Sequence, residues 1–117
     1  MRLLLILILS AGLNADSSLQ RPSEKEKNRP NPYELQPSAE KAGAKLFQRE
    51  CASCHGQNAK GTRHDPALTS QSLNHAPPGA IFWVLRNGSL RRGMPSFSHL
   101  PEQQRWQIVT YLKAARE

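Results

Sequence analysis

Cys51-Ala52-Ser53-Cys54-His55 sets two thiols three positions apart with an imidazole directly after the second, and no other cysteine occurs in the 117 residues. Two thiols at that separation can each add to one vinyl group of a single porphyrin, and the histidine that follows is then held against the iron as its proximal ligand. The run therefore reads as a covalent attachment site for one haem of the c type. Two other chemistries use paired cysteines. A thioredoxin-like redox pair calls for alternating strands and helices around it, and the sequence shows no such alternation. A zinc site needs a second C-x-x-C or an H-x3-H to complete its tetrahedron, and the chain has neither.

A soft second ligand is available downstream. Met94 is the only methionine besides the initiator, and Pro95 biases it out of helical geometry, which suits a thioether presented from an extended loop. Gly93 beside it leaves the backbone room to approach a porphyrin. His64, His75 and His99 compete for the same role. Thioether ligation favours ferrous over ferric iron, and iron closed on both sides by His55 and Met94 is suited to electron transfer rather than to binding peroxide or oxygen.

Three helices are expected to position these groups. The first starts at Pro37-Ser38, with Ser38 as N-cap and Glu40 in the first turn, and carries Ala39, Ala42, Leu46 and Phe47 at three- and four-residue spacing into Cys51. Gly43 lies inside it at a cost of about 1 kcal/mol relative to alanine, which points to close approach by another backbone. The second covers residues 80–87, after Pro77-Pro78-Gly79 and before the stop at Gly88. Its Ile81, Phe82, Val84 and Leu85 are candidate pocket walls, while Trp83 and Arg86, with Arg91 and Arg92 further on, are candidates for pocket or propionate contacts. The third opens at Pro101-Glu102 and presents Trp106, Ile108, Val109, Tyr111, Leu112 and Ala115 to the first helix and the haem. About 80 residues bury only a modest core alone, so a porphyrin would be its largest apolar member.

Gly43, Phe47 and the Cys51 to Gly56 run in this register, then Asp65-Pro66-Ala67-Leu68, Gly93-Met94-Pro95 and a last helix with Tyr111, resemble a class I c-type cytochrome over about Ala39 to Lys113. The resemblance implies a small all-α fold whose N- and C-terminal helices cross over a covalently bound haem. It also implies that the Pro66 carbonyl accepts the Nδ1 proton of His55, leaving Nε2 for iron. An electron carrier rather than an enzyme is expected, assembled on the far side of the cytoplasmic membrane.

The rest of the chain fits export. Met1-Arg2, the apolar run Leu3 to Leu9 and the small residues up to Ala15 have the three regions of a secretory signal, and seven apolar residues are too few to span a bilayer. Residues 16–37 are proline-rich, with four basic and four acidic side chains and few apolar ones, and read as a disordered spacer from which only Tyr33 and Leu35 could pack on a domain at 38–117. That domain holds eleven Lys and Arg against five Asp and Glu. In an exported haem protein such an excess is matched by redox donors and acceptors with acidic docking surfaces. No basic stripe with interleaved aromatics supports nucleic-acid binding. Contact with a membrane is expected only through a partner complex or an uncleaved signal. The remaining readings are a haem subunit of a membrane oxidase or periplasmic dehydrogenase, and a haem peroxidase or gas sensor from whose iron Met94 departs.

Overall fold

Helix α2 (Pro37–Glu50) and helix α6 (Glu102–Ala114) form the crossing on which the fold is built. The computed structural model describes residues 21–57, 59, 61, 71–89 and 92–114. Within them, α1 (Glu24–Lys27) precedes α2, α3 (Ala52–His55) follows it, and α4 (Gln71–His75) and α5 (Pro78–Asn87) lead to α6. The only extended pairing among the described residues is a single antiparallel bridge between Ser89 and Met94. The all-α expectation therefore holds.

Gly43 explains the crossing. A Cβ built there would stand 2.6 Å from the Gln107 carbonyl carbon and 2.9 Å from Tyr111 Cβ, so only a hydrogen lets α2 lie this close to α6. One turn on, the rings of Phe47 and Tyr111 meet at 5.3 Å and 50°. Phe47, Ile108 and Val109 are wholly buried around the contact. Gly43→Ala should therefore destabilise the protein although alanine is the better helix former. The gain in propensity is about 1 kcal/mol, whereas overpacking against rigid backbone costs about 3 kcal/mol. A net loss of about 2 kcal/mol is expected in denaturant unfolding.

Helix α2 starts two residues earlier than a Ser38 cap implies. Pro37 takes the first helical position, where its missing N–H costs nothing, and Gln36 stands as N-cap without a side-chain capping bond, so Ser38 does not cap. Helix α5 likewise starts at Pro78 rather than at residue 80, and Gly88 stops it at a φ of +72°.

The segment read as a disordered spacer is ordered over residues 21–37. Ser23 caps α1 by accepting from Glu26 N at 3.2 Å, and the C-terminal end of α1 rests on α5 at Gly79, where a Cβ would come within 2.6 Å of Lys27 O. Arg29 then lies over the rings of Phe82 and Trp106, at 4.7 and 5.6 Å, and pairs with Glu102 at 2.6 Å and Glu26 at 3.7 Å. The next anchor is buried Asn31, whose amide donates to Thr110 Oγ1 at 2.9 Å while its carbonyl oxygen accepts from Tyr33 N. Tyr33 packs on the core, whereas Leu35, in left-handed backbone at φ +58°, is 91% exposed.

The bond from Arg29 above all holds the Glu102 carboxyl below its ordinary value of 4.5. A carboxylate lowered on folding adds stability that is complete above its unfolded value and is lost as pH falls through the folded one. Thermal unfolding followed from about pH 7 to about pH 3 should thus show an acid-dependent loss that Arg29→Gln reduces.

Candidate functional site

The C-x-x-C-H run folds as one tight turn directly after α2. Cys51 ends α2, its N–H donating to Phe47 O at 2.8 Å, and its own carbonyl accepts from Cys54 N at 3.2 Å and His55 N at 3.0 Å. Residues three and four apart on a helical turn share a face, so the spacing puts Cys51, Cys54 and His55 on one side of the turn, although Cys54 is exposed. The chain then leaves through Gly56 at φ +81°, and a Cβ there would meet Gly61 O at 2.7 Å. His55 O accepts from Gly61 N at 2.7 Å, and the Gln48 amide donates to Gln57 O, so the turn is fastened on both sides.

This turn borders a cavity of about 220 Å³. Phe47, Cys51 and His55 line it from the N-terminal half, Leu73 and Ala76 from α4 and the residues after it, and Ala80, Ile81, Val84 and Leu85 from α5. Ile108 and Leu112 of α6 complete it together with Met94. The lining is apolar apart from the Cys51 thiol, the His55 imidazole and the Met94 thioether.

Met94 is held by its backbone. Its N–H donates to Ser89 O at 3.0 Å and its carbonyl accepts from Ser89 N at 2.9 Å, closing a small hairpin after α5. The hairpin supplies partners for carbonyls that the last turn of α5 leaves unpaired: Phe97 N donates to Leu85 O at 2.8 Å, and Ser96 Oγ to Arg86 O at 2.5 Å. Gly88 makes this fit possible, since a Cβ would lie 2.7 Å from Pro95 C. Gly93 stands at a φ of +79°, left-handed backbone that favours glycine.

Cys51 is buried and Cys54 exposed, and both thiols are free. Burial, helped by Glu50 and Cys54, pushes the Cys51 thiol up to about 11. Redox-active pairs have the opposite property, a thiolate stabilised near neutral pH. Among the described residues no three His, Cys, Asp or Glu side chains gather to hold a metal ion. Buried His55 Nδ1 finds no hydrogen-bond partner among the described residues. Pro66, expected to accept its proton, lies outside them, as do His64 and Arg91.

Neither His75 nor His99 lines the cavity, and both are exposed. Trp83 is half-buried and away from the lining, its carbonyl accepting from the Asn87 amide at 2.9 Å, and Arg86 is exposed. Phe82 is not a cavity wall. It turns to the other side of α5 and stacks on Trp106 at 3.9 Å and 11°. Sequence reasoning missed Leu73 and Ala76, whose stretch carries no periodic pattern long enough to identify a helix.

A thiol and an imidazole on one turn, a thioether from a separate loop and an apolar enclosure are chemically suited to a covalently held haem. Residues 38–112 match the family model described as cytochrome c oxidase, cbb3-type, subunit III. Among solved structures, the chain is similar to cytochrome CL from the marine methylotrophic bacterium Methylophaga aminisulfidivorans MPT, with 27% identity, a TM-score of 0.61 and 70% of this chain covered. It spans 56% of that protein's length. No curated protein matches in sequence. Domains of this kind carry covalently bound haem c and transfer electrons. With the match extending over more than half of its length, the chain belongs to this family, and is a class I c-type cytochrome domain.

Proposed function

We propose that the chain is an exported cytochrome that passes single electrons between protein partners, with Cys51 and Cys54 attaching one haem c and His55 and Met94 as the axial ligands. The observation that carries this reading is that one apolar cavity is bordered by Cys51, His55 and Met94 while the other described histidines stand outside it. Bound haem supplies reversible exchange between ferric and ferrous iron. The chain's own residues do the rest. The apolar side chains of α5 and α6 keep water out, and the hairpin bonds of Ser89 hold Met94 at the cavity. A carbonyl outside the described residues, which we assign to Pro66, accepts from His55 Nδ1 and fixes the tautomer. The basic excess of residues 38–117 suits acidic docking surfaces on donor and acceptor. The apolar run at residues 3–9 supports an extracytoplasmic, periplasmic location.

Optical spectra of the purified haem-loaded protein test the ligand set. The ferric form should show the weak sulfur-to-iron band at the red end of the visible range, and carbon monoxide should leave the ferrous spectrum unchanged. A rapid change with carbon monoxide would favour a peroxidase or gas sensor instead.

The matching family's description as an oxidase subunit favours a second reading, a domain that works within a membrane complex. Among the described residues no helix is long and apolar enough to cross a membrane. Fractionation of the producing cells decides between the readings, by whether the mature chain is found free or sedimenting with a complex.

A further inference from the structure

We infer that Lys113 is a positioning residue for the redox site, pinning the α4 wall of the cavity and placing a positive charge behind it. This inference rests on the electron-carrier reading and adds a residue to it. Lys113 lies in the last turn of α6, and its Nζ donates to Asn74 O and Ala76 O at 2.9 Å each and reaches Leu73 O at 3.4 Å. These carbonyls cluster at the C-terminal end of α4, and Leu73 and Ala76 are the residues through which this part of the chain lines the cavity.

Helix α4 has only five residues. A helix that short is far below the length at which a helix is stable alone, and the carbonyls of its last turn have no partners within it. An ammonium group answers both needs. It carries three N–H donors around one point, which suits three carbonyls converging on it, and its charge complements the negative end of the helix. The planar guanidinium fork of arginine does not match that arrangement. Lys113 is itself only half exposed, and carbonyl partners replace the water its charge gives up. Leu112, its neighbour on α6, lines the same cavity, so one helix contributes both a wall and the tie that holds the facing wall.

Two consequences follow. With the tie removed, α4 should open locally far more often than α2 or α6. A fixed positive charge behind the cavity wall also disfavours the more positive ferric state, so losing it should lower the reduction potential.

The test uses the haem-loaded protein and its Lys113→Met and Lys113→Arg variants, followed by amide hydrogen exchange and redox titration. Lys113→Met keeps an apolar stem and should speed exchange at His75 and Ala76 by at least about tenfold, from the loss of charge-assisted bonds, with α2 unchanged. Its potential should fall. Lys113→Arg keeps the charge and should retain most of the potential while exchange at α4 still rises. If Lys113→Met fails to accumulate with haem, Lys113→Arg alone decides through α4 exchange. Wild-type exchange at α4 in whichever variant is measured, or an unchanged potential in Lys113→Met, would overturn the inference. The sulfur-to-iron band of the unmodified protein tests the ligand assignment separately, so the two can fail independently.

Discussion

Replacing Cys51 and Cys54 together by serine is expected to leave a protein whose haem is wholly extracted by acidified acetone, whereas the unmodified protein should retain all of it. No other thiol exists in the sequence to form a thioether. Each single variant should keep one link and yield less haem-loaded protein. The two positions differ in their surroundings, and the single variants should differ accordingly. Cys51 is buried in the core and borders the cavity, where its thiol behaves as a small apolar group, so a serine hydroxyl there also adds a desolvation cost of about 1 to 3 kcal/mol. Cys54 is exposed, and its replacement adds no such cost. Cys51→Ser should thus be the less stable of the two in denaturant unfolding. Haem that resisted extraction from the double variant would show that attachment does not run through these sulfurs.

The parts of this site that were legible in the sequence are those whose cause is local. The C-x-x-C-H spacing needs only one helical turn to group its side chains, and the turn after α2 provides it. Helices α2 and α6 carry apolar residues over three turns or more, and Gly43 announced a close neighbour before that neighbour was identified as the backbone at Gln107. The parts that were not legible depend on distant partners. Helix α4 is held by Lys113, 37 to 40 residues further along the chain, and nothing in its own composition requires a helix. The segment at 21–37 offers little apolar surface, which argued for disorder, but it docks through polar and cationic groups instead. Arg29 finds aromatic faces and Glu102, and Asn31 finds Thr110, 79 residues away. One signal there was available: Ser23 and Glu26 have the spacing of a helix-capping pair, and Ser23 does cap α1. Phe82 shows the limit of composition in another way. An apolar residue on α5 can face the cavity or the segment at 21–37, and its stacking on Trp106 selects the latter.

Met94→Ala is expected to lower the reduction potential by on the order of 0.1 V or more, since axial-ligand identity spreads haem potentials over about 0.8 V. The haem should remain attached through Cys51 and Cys54. Neutral sulfur stabilises ferrous iron, and its removal leaves water, hydroxide or a histidine to take its place. Neither His75 nor His99 lines the cavity, so the replacement is expected to be water, hydroxide or His64, which lies outside the described residues. The substitution is also well suited to isolating the ligand effect. The hairpin around Met94 is held by backbone bonds to Ser89, by the approach of Gly88 and by the bonds of Phe97 and Ser96 to the end of α5, none of which uses the methionine side chain. The loop should therefore keep its course while the thioether is lost. Three readings should change together: the ferric sulfur-to-iron band disappears, carbon monoxide binds the ferrous form, and the potential falls. A potential unmoved by Met94→Ala, or a band absent from the unmodified protein, would remove Met94 from the iron and leave a bis-histidine or five-coordinate site in place of the His55 and Met94 pair.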